Sequence, residues 1–437
     1  MNREELIMVC CCDLAGQVRG KGFPASELAS RLKRGVGWVP TNAMITAFGD
    51  IGDSPWGSRG DLLLVPDPET KVRVEFGDDS PAEHFLLGDI VHTHGEPWGG
   101  CTRTFLKDAL TALQQEAGLT LLAAFEHEFH YTGVEQRANG SYNLDAFRRQ
   151  DTFSEVFVHA LRQAGLEPDS FMAEYGPQQY EVTVGPRDGL RAADEAVILR
   201  EMARATAHRL GHKVSFSPLV THEVVGNGVH LHMSLHDLDR QPVTYDKDGP
   251  GGLSEVAAQF AAGILRHAPA ICALTAPSTV SYQRLVPHRW SASYTNLGFR
   301  DREACLRICP VVEIGDADVA KQFNIEFRAA DAAASPYLQL GILIYAGLQG
   351  IREKLPAPAI TDKDPEEMSE VERDAAGVAV LPRSLSEALD ALEADDVAKN
   401  WLPANLLKGY LPHKRFEIGL MADLTLDEQC KRYAEVY

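Results

Sequence analysis

A chain of 437 residues, 45% hydrophobic and 24% charged, has the composition of an ordinary globular protein and the length for two domains with a large core. A formal net charge of −20 argues against nucleic acid or an anionic membrane as the main partner, while leaving room for a locally basic pocket. The opening Met1-Asn2-Arg3-Glu4-Glu5-Leu6 has no signal-peptide layout and no apolar run reaches membrane-spanning length, so a cytoplasmic protein with reduced, buried cysteines is expected.

In chain order, residues 5–13 read as a strand, 14–22 as a hairpin return, and Pro24 opens a helix to about Leu32. Further strands are predicted at 43–48, 62–65 and 72–76, around a Gly- and Pro-rich loop at 49–60. This front part reads as a small mixed sheet with one helix. The stretch 92–100, rich in Gly, His and Pro, reads as a boundary between domains 1–98 and 99–437. Beyond Arg103, helices are predicted at 104–116, 153–164, 190–210, 252–267 and 338–354, and strands at 119–129, 179–184, 213–217, 229–235, 304–308 and 323–328. The charged segment 357–372 reads as an exposed loop, with helices at 385–391 and near the C-terminus. No cysteine pair has CxxC spacing, so neither a zinc site nor a disulfide framework is indicated.

Four of these strands carry polar groups on one face. Side chains alternate along a strand, so in Gly226-Asn227-Gly228-Val229-His230-Leu231-His232-Met233-Ser234 the two histidines and Ser234 share a face behind a glycine turn. In the strand ending Phe125-Glu126-His127-Glu128-Phe129, Glu126 and Glu128 share a face; adjacent carboxylates repel unless solvent, a shared proton or a cation relieves them, and the apolar run before them favours a cation. Glu174 and Glu181 flank a Gly-Pro turn. Glu326 and Arg328 share a face of the fourth strand, downstream of Arg284, Arg300, Arg302 and Arg307, whose guanidinium groups suit phosphate or carboxylate. Oxygen-rich sites with an occasional imidazole suit Mg²⁺ or Mn²⁺, and two such ions with arginines are the equipment for phosphoryl transfer; no P-loop is present.

These motifs, in this order, resemble the glutamine synthetase superfamily over essentially the whole chain: Glu-x-Glu at 126–128, Glu-Tyr-Gly-Pro-x-Gln-Tyr-Glu at 174–181, Gly-x-Gly-x-His-x-His-x-Ser at 226–234, Arg-Leu-Val-Pro at 284–287, Arg302 with Arg307, and Glu-x-Arg-x-x-Asp at 326–331. The resemblance implies an α+β fold, an N-terminal β-grasp domain followed by a catalytic α/β domain on a curved antiparallel sheet. It implies a homo-oligomer as well, a dodecamer of two stacked hexameric rings with active sites between subunits. Glu128, Glu174 and Glu181 resemble the ligands of the metal near glutamate, and Glu126, His230 and Glu326 those of the metal near the ATP phosphates. His232, Ser234 and Lys321 resemble nucleotide contacts, Arg307 also lying on that side. Arg284, Arg302, Arg307 and Arg328 resemble the set for the glutamate carboxylates and transferred phosphate, with Arg302 and Arg328 catalytic, and Gly226 resembles the backbone contact to L-glutamate. The chemistry implied is transfer of the ATP γ-phosphate to glutamate and attack of an amine on the acyl phosphate, with two or more Mg²⁺ or Mn²⁺ ions.

The departures concern the amine. Trp290 stands where the family has a flap glutamate that handles ammonium, Val225 replaces an asparagine, Asn324 replaces an arginine, and Thr46, with Asp50 and Asp53 nearby, stands for an N-domain aspartate. An indole can cover the carbon end of an alkylammonium, with about 0.5–2 kcal/mol of cation–π attraction. The run His288-Arg289-Trp290-Ser291 is similar to the type III, γ-glutamylmethylamide synthetase-like branch, which points to methylamine, with Trp290 at the catalytic centre. Ammonia, or a catalytically silent ring-forming relative, are the alternatives.

Overall fold

The strand Leu6–Cys12 (β1) is buried apart from Leu6 and Met8, and its alternation divides two cores. Ile7, Val9 and Cys11 enter a small cluster with Trp38, Leu64 and Trp98, while Cys10 and Cys12 enter the main one. The computed structural model describes residues 3–136 and 140–437. The first sheet continues with Val18–Pro24 (β2), Val36–Trp38 (β3), Leu62–Pro66 (β4), Val72–Val74 (β5) and Glu83–His92 (β6). Its order is β2–β1–β6–β4–β3, with β5 on β6; β1 and β6 run parallel and the other pairs antiparallel. The helix Leu28–Arg34 packs on β4. The mixed sheet with one helix is as expected.

Two details differ. The predicted strand at 43–48 is instead the end of a 3₁₀ turn, Pro40–Met44, followed by one bridge between Ile45 and Ile51. Pro40 fixes φ at the first position of that turn and cannot donate to a ladder. The longest strand of the sheet, β6, has no counterpart among the predicted elements, because as a central strand it is apolar on both faces and loses the alternation that marks a strand.

The second sheet comprises Leu119–Tyr131 (β7), Pro168–Ala173 (β8), Gln179–Val184 (β9), Arg187–Asp188 (β10), Val214–Ser215 (β11), Val229–Asp237 (β12), Leu297–Phe299 (β13), Leu306–Ile308 (β14), Ile325–Phe327 (β15) and Ile360–Thr361 (β16). Its order is β16–β13–β14–β15–β12–β7–β9–β8, with β10 and β11 also on β7. The sheet is curved and mainly antiparallel. At one edge β13 runs parallel to both β14 and β16, while the other pairs keep the antiparallel arrangement expected. The segment expected as a loop at 357–372 contains β16 and the start of the helix Glu370–Ala376, whose capping box is Ser369 with Glu372.

On β7 the alternation is regular: Leu121, Ala123, Phe125, His127 and Phe129 are buried, while Glu126 and Glu128 face the other way. Behind the apolar face lie the helices Thr102–Ala117, Gly189–Arg209 and Pro336–Glu353, and Pro336–Glu353 also packs against Glu255–Arg266. That crossing is close because Gly263 and Gly350 face each other; a Cβ on Gly263 would sit 2.0 Å from the Ala346 carbonyl oxygen. Among the described residues no single helix is long and apolar enough to cross a membrane. All eight cysteines are buried and free.

Candidate functional site

Strand register, which no single-strand pattern reveals, sets the functional side chains in rows across the second sheet. His230 lies opposite Glu126, Glu128 opposite Glu181, and Glu326 opposite both His232 and Arg307. Five strands, β7, β9, β12, β14 and β15, thus converge. Two adjoining cavities open on this face. The larger, about 550 Å³, is lined by Glu126, His232, Ser234, Arg307 and Lys321 among others. The smaller, about 340 Å³, is lined by Glu128, Gly226, His230, Arg284, Trp290 and Arg328. Glu126, Glu174, Glu181, Tyr142 and Arg302 line both.

Ligand atoms of Glu126, His230 and Glu326 all lie within 4.8 Å of one another. His230 Nδ1 is 2.8 Å from Glu126 Oε1 and 3.6 Å from Glu326 Oε1. Burial works against the charge of Glu126, but His230 and His232 hold its carboxyl well below the usual range. The same opposition at Glu326, with Arg328 prevailing over burial, brings its carboxyl down to about 2. Glu326 is gripped from both sides, by Arg307 at 2.8 Å and by Arg328 on the other oxygen.

Glu128, Glu174 and Glu181 line one wall, but among the described residues they do not close into a comparable triplet. Each of two carboxyls has a local donor: Glu128 accepts the Gly228 N–H at 2.7 Å, and Glu174 accepts the Tyr142 hydroxyl at 2.6 Å. Glu181 is buried, and burial followed by the charges of Glu126, Glu128 and Glu174 pushes its carboxyl far up, to about 10. A buried carboxylate among carboxylates is a place that a cation relieves, and oxygen donors with one imidazole fit Mg²⁺ or Mn²⁺.

The cationic side is equally incomplete. Arg284, Arg307 and Arg328 are buried, and each has an Nε–H without a hydrogen-bond partner. Buried donors of this kind carry a desolvation cost of about 1–3 kcal/mol each unless an acceptor meets them, which a carboxylate or phosphate would do. Gly226 fits here because a Cβ would stand 2.3 Å from the Pro218 carbonyl oxygen and 2.8 Å from Arg284. Arg302 is exposed at the rim of both cavities, and Lys321 is exposed and paired with Asp318 at 3.4 Å. Arg300, grouped with them in the sequence, points elsewhere and meets Glu313 at 3.8 Å. Thr46, Asp50 and Asp53 line neither cavity.

Trp290 sits on a flap that runs against backbone preference: His288 and Trp290 have φ of 59° and 55°. Glu303 holds both, accepting the His288 N–H at 3.2 Å and the Trp290 N–H at 3.1 Å. The indole stacks on Tyr175, ring centroids 5.3 Å apart and planes at 18°, as one wall of the smaller cavity. Arg289 ties the flap to the glycine turn through the carbonyls of His222 and Val224. Tyr142 and Cys309 line these cavities without a sequence motif to announce them, while Tyr175 and Arg289 lie within the motifs at 174–181 and 288–291, which give them no role of their own.

Residues 99–433 match the glutamine synthetase catalytic domain and residues 1–98 the glutamine synthetase N-terminal domain. The chain is 32% identical to the gamma-glutamylpolyamine synthetase GlnA3 of Streptomyces coelicolor, covering 99% of this chain and 93% of the relative. It is 31% identical to the glutamine synthetase of Pyrococcus furiosus over 94% of this chain and 89% of that one. Among solved structures it resembles a novel glutamine synthase homolog, with TM-score 0.92 and 43% identity, covering 100% and 99% of the two chains. It also resembles an ADP complex of GmaS, with TM-score 0.82 and 26% identity over 97% and 95%.

Proposed function

The chain belongs to the glutamine synthetase family of ATP-dependent glutamate–amine ligases, and from that premise we propose how its residues divide the work. The observation that carries the assignment is the pairing, on one sheet face, of crowded carboxylates with no lysine or arginine of the described residues on them and buried arginines whose Nε–H groups meet no acceptor. In this reading Glu126, His230 and Glu326 hold one divalent cation, and Glu128, Glu174 and Glu181 another. The ions, when bound, neutralise phosphate charge as it moves from ATP to glutamate. His232, Ser234, Arg307 and Lys321 hold the nucleotide in the larger cavity. Gly226, Arg284, Arg302 and Arg328 hold glutamate and the phosphate it receives in the smaller one, with Arg302 and Arg328 nearest the transfer. The two cavities meet at Glu126, Glu174 and Glu181, which is where a γ-phosphate and a carboxylate have to meet. Assembly into two stacked hexameric rings, with an N-terminal domain completing a neighbour's site, belongs to the same proposal; sedimentation of the full chain tests it.

For the acceptor we take ammonia as the first reading, because several relatives at 28–31% identity bear the name glutamine synthetase. The methylamine expectation from the flap motif gives way, since no relative among them singles it out. An amine carrying carbon is the second reading, favoured by the Trp290–Tyr175 wall and by the polyamine named for the Streptomyces coelicolor relative. Phosphate release with glutamate, ATP and Mg²⁺ is to be measured over a panel of ammonia, methylamine, and longer mono- and diamines. Ammonia leading in kcat/KM supports the first reading; a carbon-bearing amine leading by tenfold or more selects the second; no turnover with any amine sinks both. In the second case Trp290→Glu is expected to shift preference toward ammonia by roughly 2–30-fold, the equivalent of about 0.5–2 kcal/mol. An unchanged ranking would remove Trp290 from the argument.

A further inference from the structure

The larger cavity contains a thiol, Cys309, that the ligase chemistry does not use, set between His232 and Glu326, which it does use. Cys309 follows β14, its N–H bonded to the Asn324 carbonyl, and its side chain is buried against the cavity. Its Sγ lies 3.5 Å from Glu326 Oε2 and 3.7 Å from His232 Nδ1, and the ligand atoms of the three residues all fall within 4.8 Å. Asn324 Oδ1 is 2.9 Å from the same His232 nitrogen. A tetrahedral zinc with ordinary bond lengths sets its ligand atoms about 3.5 Å apart. The two edges that meet at the sulfur are already near that value, and the Asn324–His232 edge is shorter.

We propose that His232, Cys309 and Glu326, with the Asn324 amide oxygen as fourth donor, bind a thiophilic divalent cation of the zinc type. Occupancy there removes His232 from the nucleotide, so the ion excludes ATP; this second half rests on the ligase reading given above. The sulfur selects the ion: Mg²⁺ prefers oxygen alone, whereas a thiolate with imidazole and carboxylate suits Zn²⁺ or Co²⁺. On binding, the S–H proton of Cys309 leaves to solvent and the sulfur–metal bond takes its place. Arg307 competes, since it already donates to Glu326 Oε2 at 2.8 Å, but the new thiolate and Glu126, 3.6 Å from His232 Nε2, offset its charge. A scan for CxxC spacing cannot see this cluster, because its members come from β12, β15 and the segment after β14.

The full-length protein in excess Mg²⁺ is titrated with Co²⁺ and followed by absorption. The expected result is a thiolate-to-cobalt charge-transfer band that saturates at one ion per chain, is discharged by equimolar Zn²⁺, and is absent from Cys309→Ser. Cys309→Ala keeps the test open should the serine variant not fold. No band in the wild type, or a band that survives in a folded Cys309 variant, overturns the site. Zn²⁺ is expected to weaken ADP binding about tenfold or more in the wild type and not in the variant. The cobalt band with unaltered ADP binding would overturn the exclusion of nucleotide. Failure of the ligase reading appears separately, as no turnover with any amine, and leaves the cobalt band in place.

Discussion

Among the described residues, two clusters of buried and half-buried carboxylates invite comparison, and one of the two brings its own cation. Around Arg103, on the helix Thr102–Ala117, Asp67 and Asp194 lie at 2.8 and 2.9 Å and Asp89 at 3.2 Å, with Lys107 on Asp89 at 2.5 Å. Tyr337 adds a hydroxyl to Asp194 at 2.6 Å. Burial works against the Arg103 charge, yet Asp194 and its neighbours hold the guanidinium above its ordinary range. The cluster joins the end of β4 and β6 of the first sheet to three helices behind the second, so it serves as an internal clamp. Around Glu181 four carboxylates gather with no lysine or arginine of the described residues paired to Glu128, Glu174 or Glu181. The difference teaches how to tell structure from site: a satisfied buried charge network is internally compensated, and one that is short of a partner implies a ligand from outside.

The clamp is the place to break the comparison hardest. Arg103→Met leaves Asp67 and Asp194 without their cation, while Asp89 keeps Lys107, and is expected to cost about 3–5 kcal/mol of stability, read from denaturant unfolding. A loss under 1 kcal/mol would mean the clamp is not a clamp. Saturating Mg²⁺ should act only on the other cluster, raising stability by about 2.7 kcal/mol at one hundred times its dissociation constant, and chelation should reverse the gain. Glu181→Gln sharpens the contrast because its sign is opposite to that at Arg103. It removes like-charge repulsion, so the metal-free protein is expected to gain about 1 kcal/mol while much of the Mg²⁺ stabilisation disappears. A metal-free Glu181→Gln protein that unfolds more easily than the parent would contradict the account of Glu181 as a ligand in waiting.

The same contrast explains which parts could be read ahead of the structure. β7 and β12 were legible because each alternates cleanly and each places its polar groups on one face. β6 was not, since it is covered on both sides and its apolar run lacks a period. Pro40 turned the expected strand at 43–48 into a 3₁₀ turn. Site membership followed from residue type and motif, but partnership did not: that Glu326 faces both His232 and Arg307, or that Asp194 reaches Arg103 across 91 positions, depends on register and helix packing. Cys309 went unremarked for the same reason. Chemistry was visible strand by strand, while compensation of charge is a property of the assembled sheet.

A third buried pair allows a finer test of compensation. Lys414 and Glu417 on the helix Ala404–Met421 are fully buried and 2.7 Å apart, and Glu417 also accepts the Ala47 N–H at 3.0 Å, tying the C-terminal region to the first domain. Burial opposes the Glu417 charge, but Lys414 and His413 prevail and hold its carboxyl below the usual range. A carboxyl depressed on folding contributes stability that is present above its unfolded pKa and is lost as pH falls through the depressed value. Burial also lowers the pKa of His413, so its contribution is present above the ordinary imidazole range and is likewise lost on acidification. Both terms have one sign, and the protein is expected to lose thermal stability progressively below about pH 6.5. The double variant Lys414→Met/Glu417→Gln should reduce the part of that slope below about pH 4.5 while keeping the part above it, to which His413, His127, His130 and His236, all with lowered pKa values, contribute. If the variant and parent show parallel melting-temperature curves across the whole acid range, the pair contributes nothing to the pH dependence and its charge is balanced equally well in the unfolded chain.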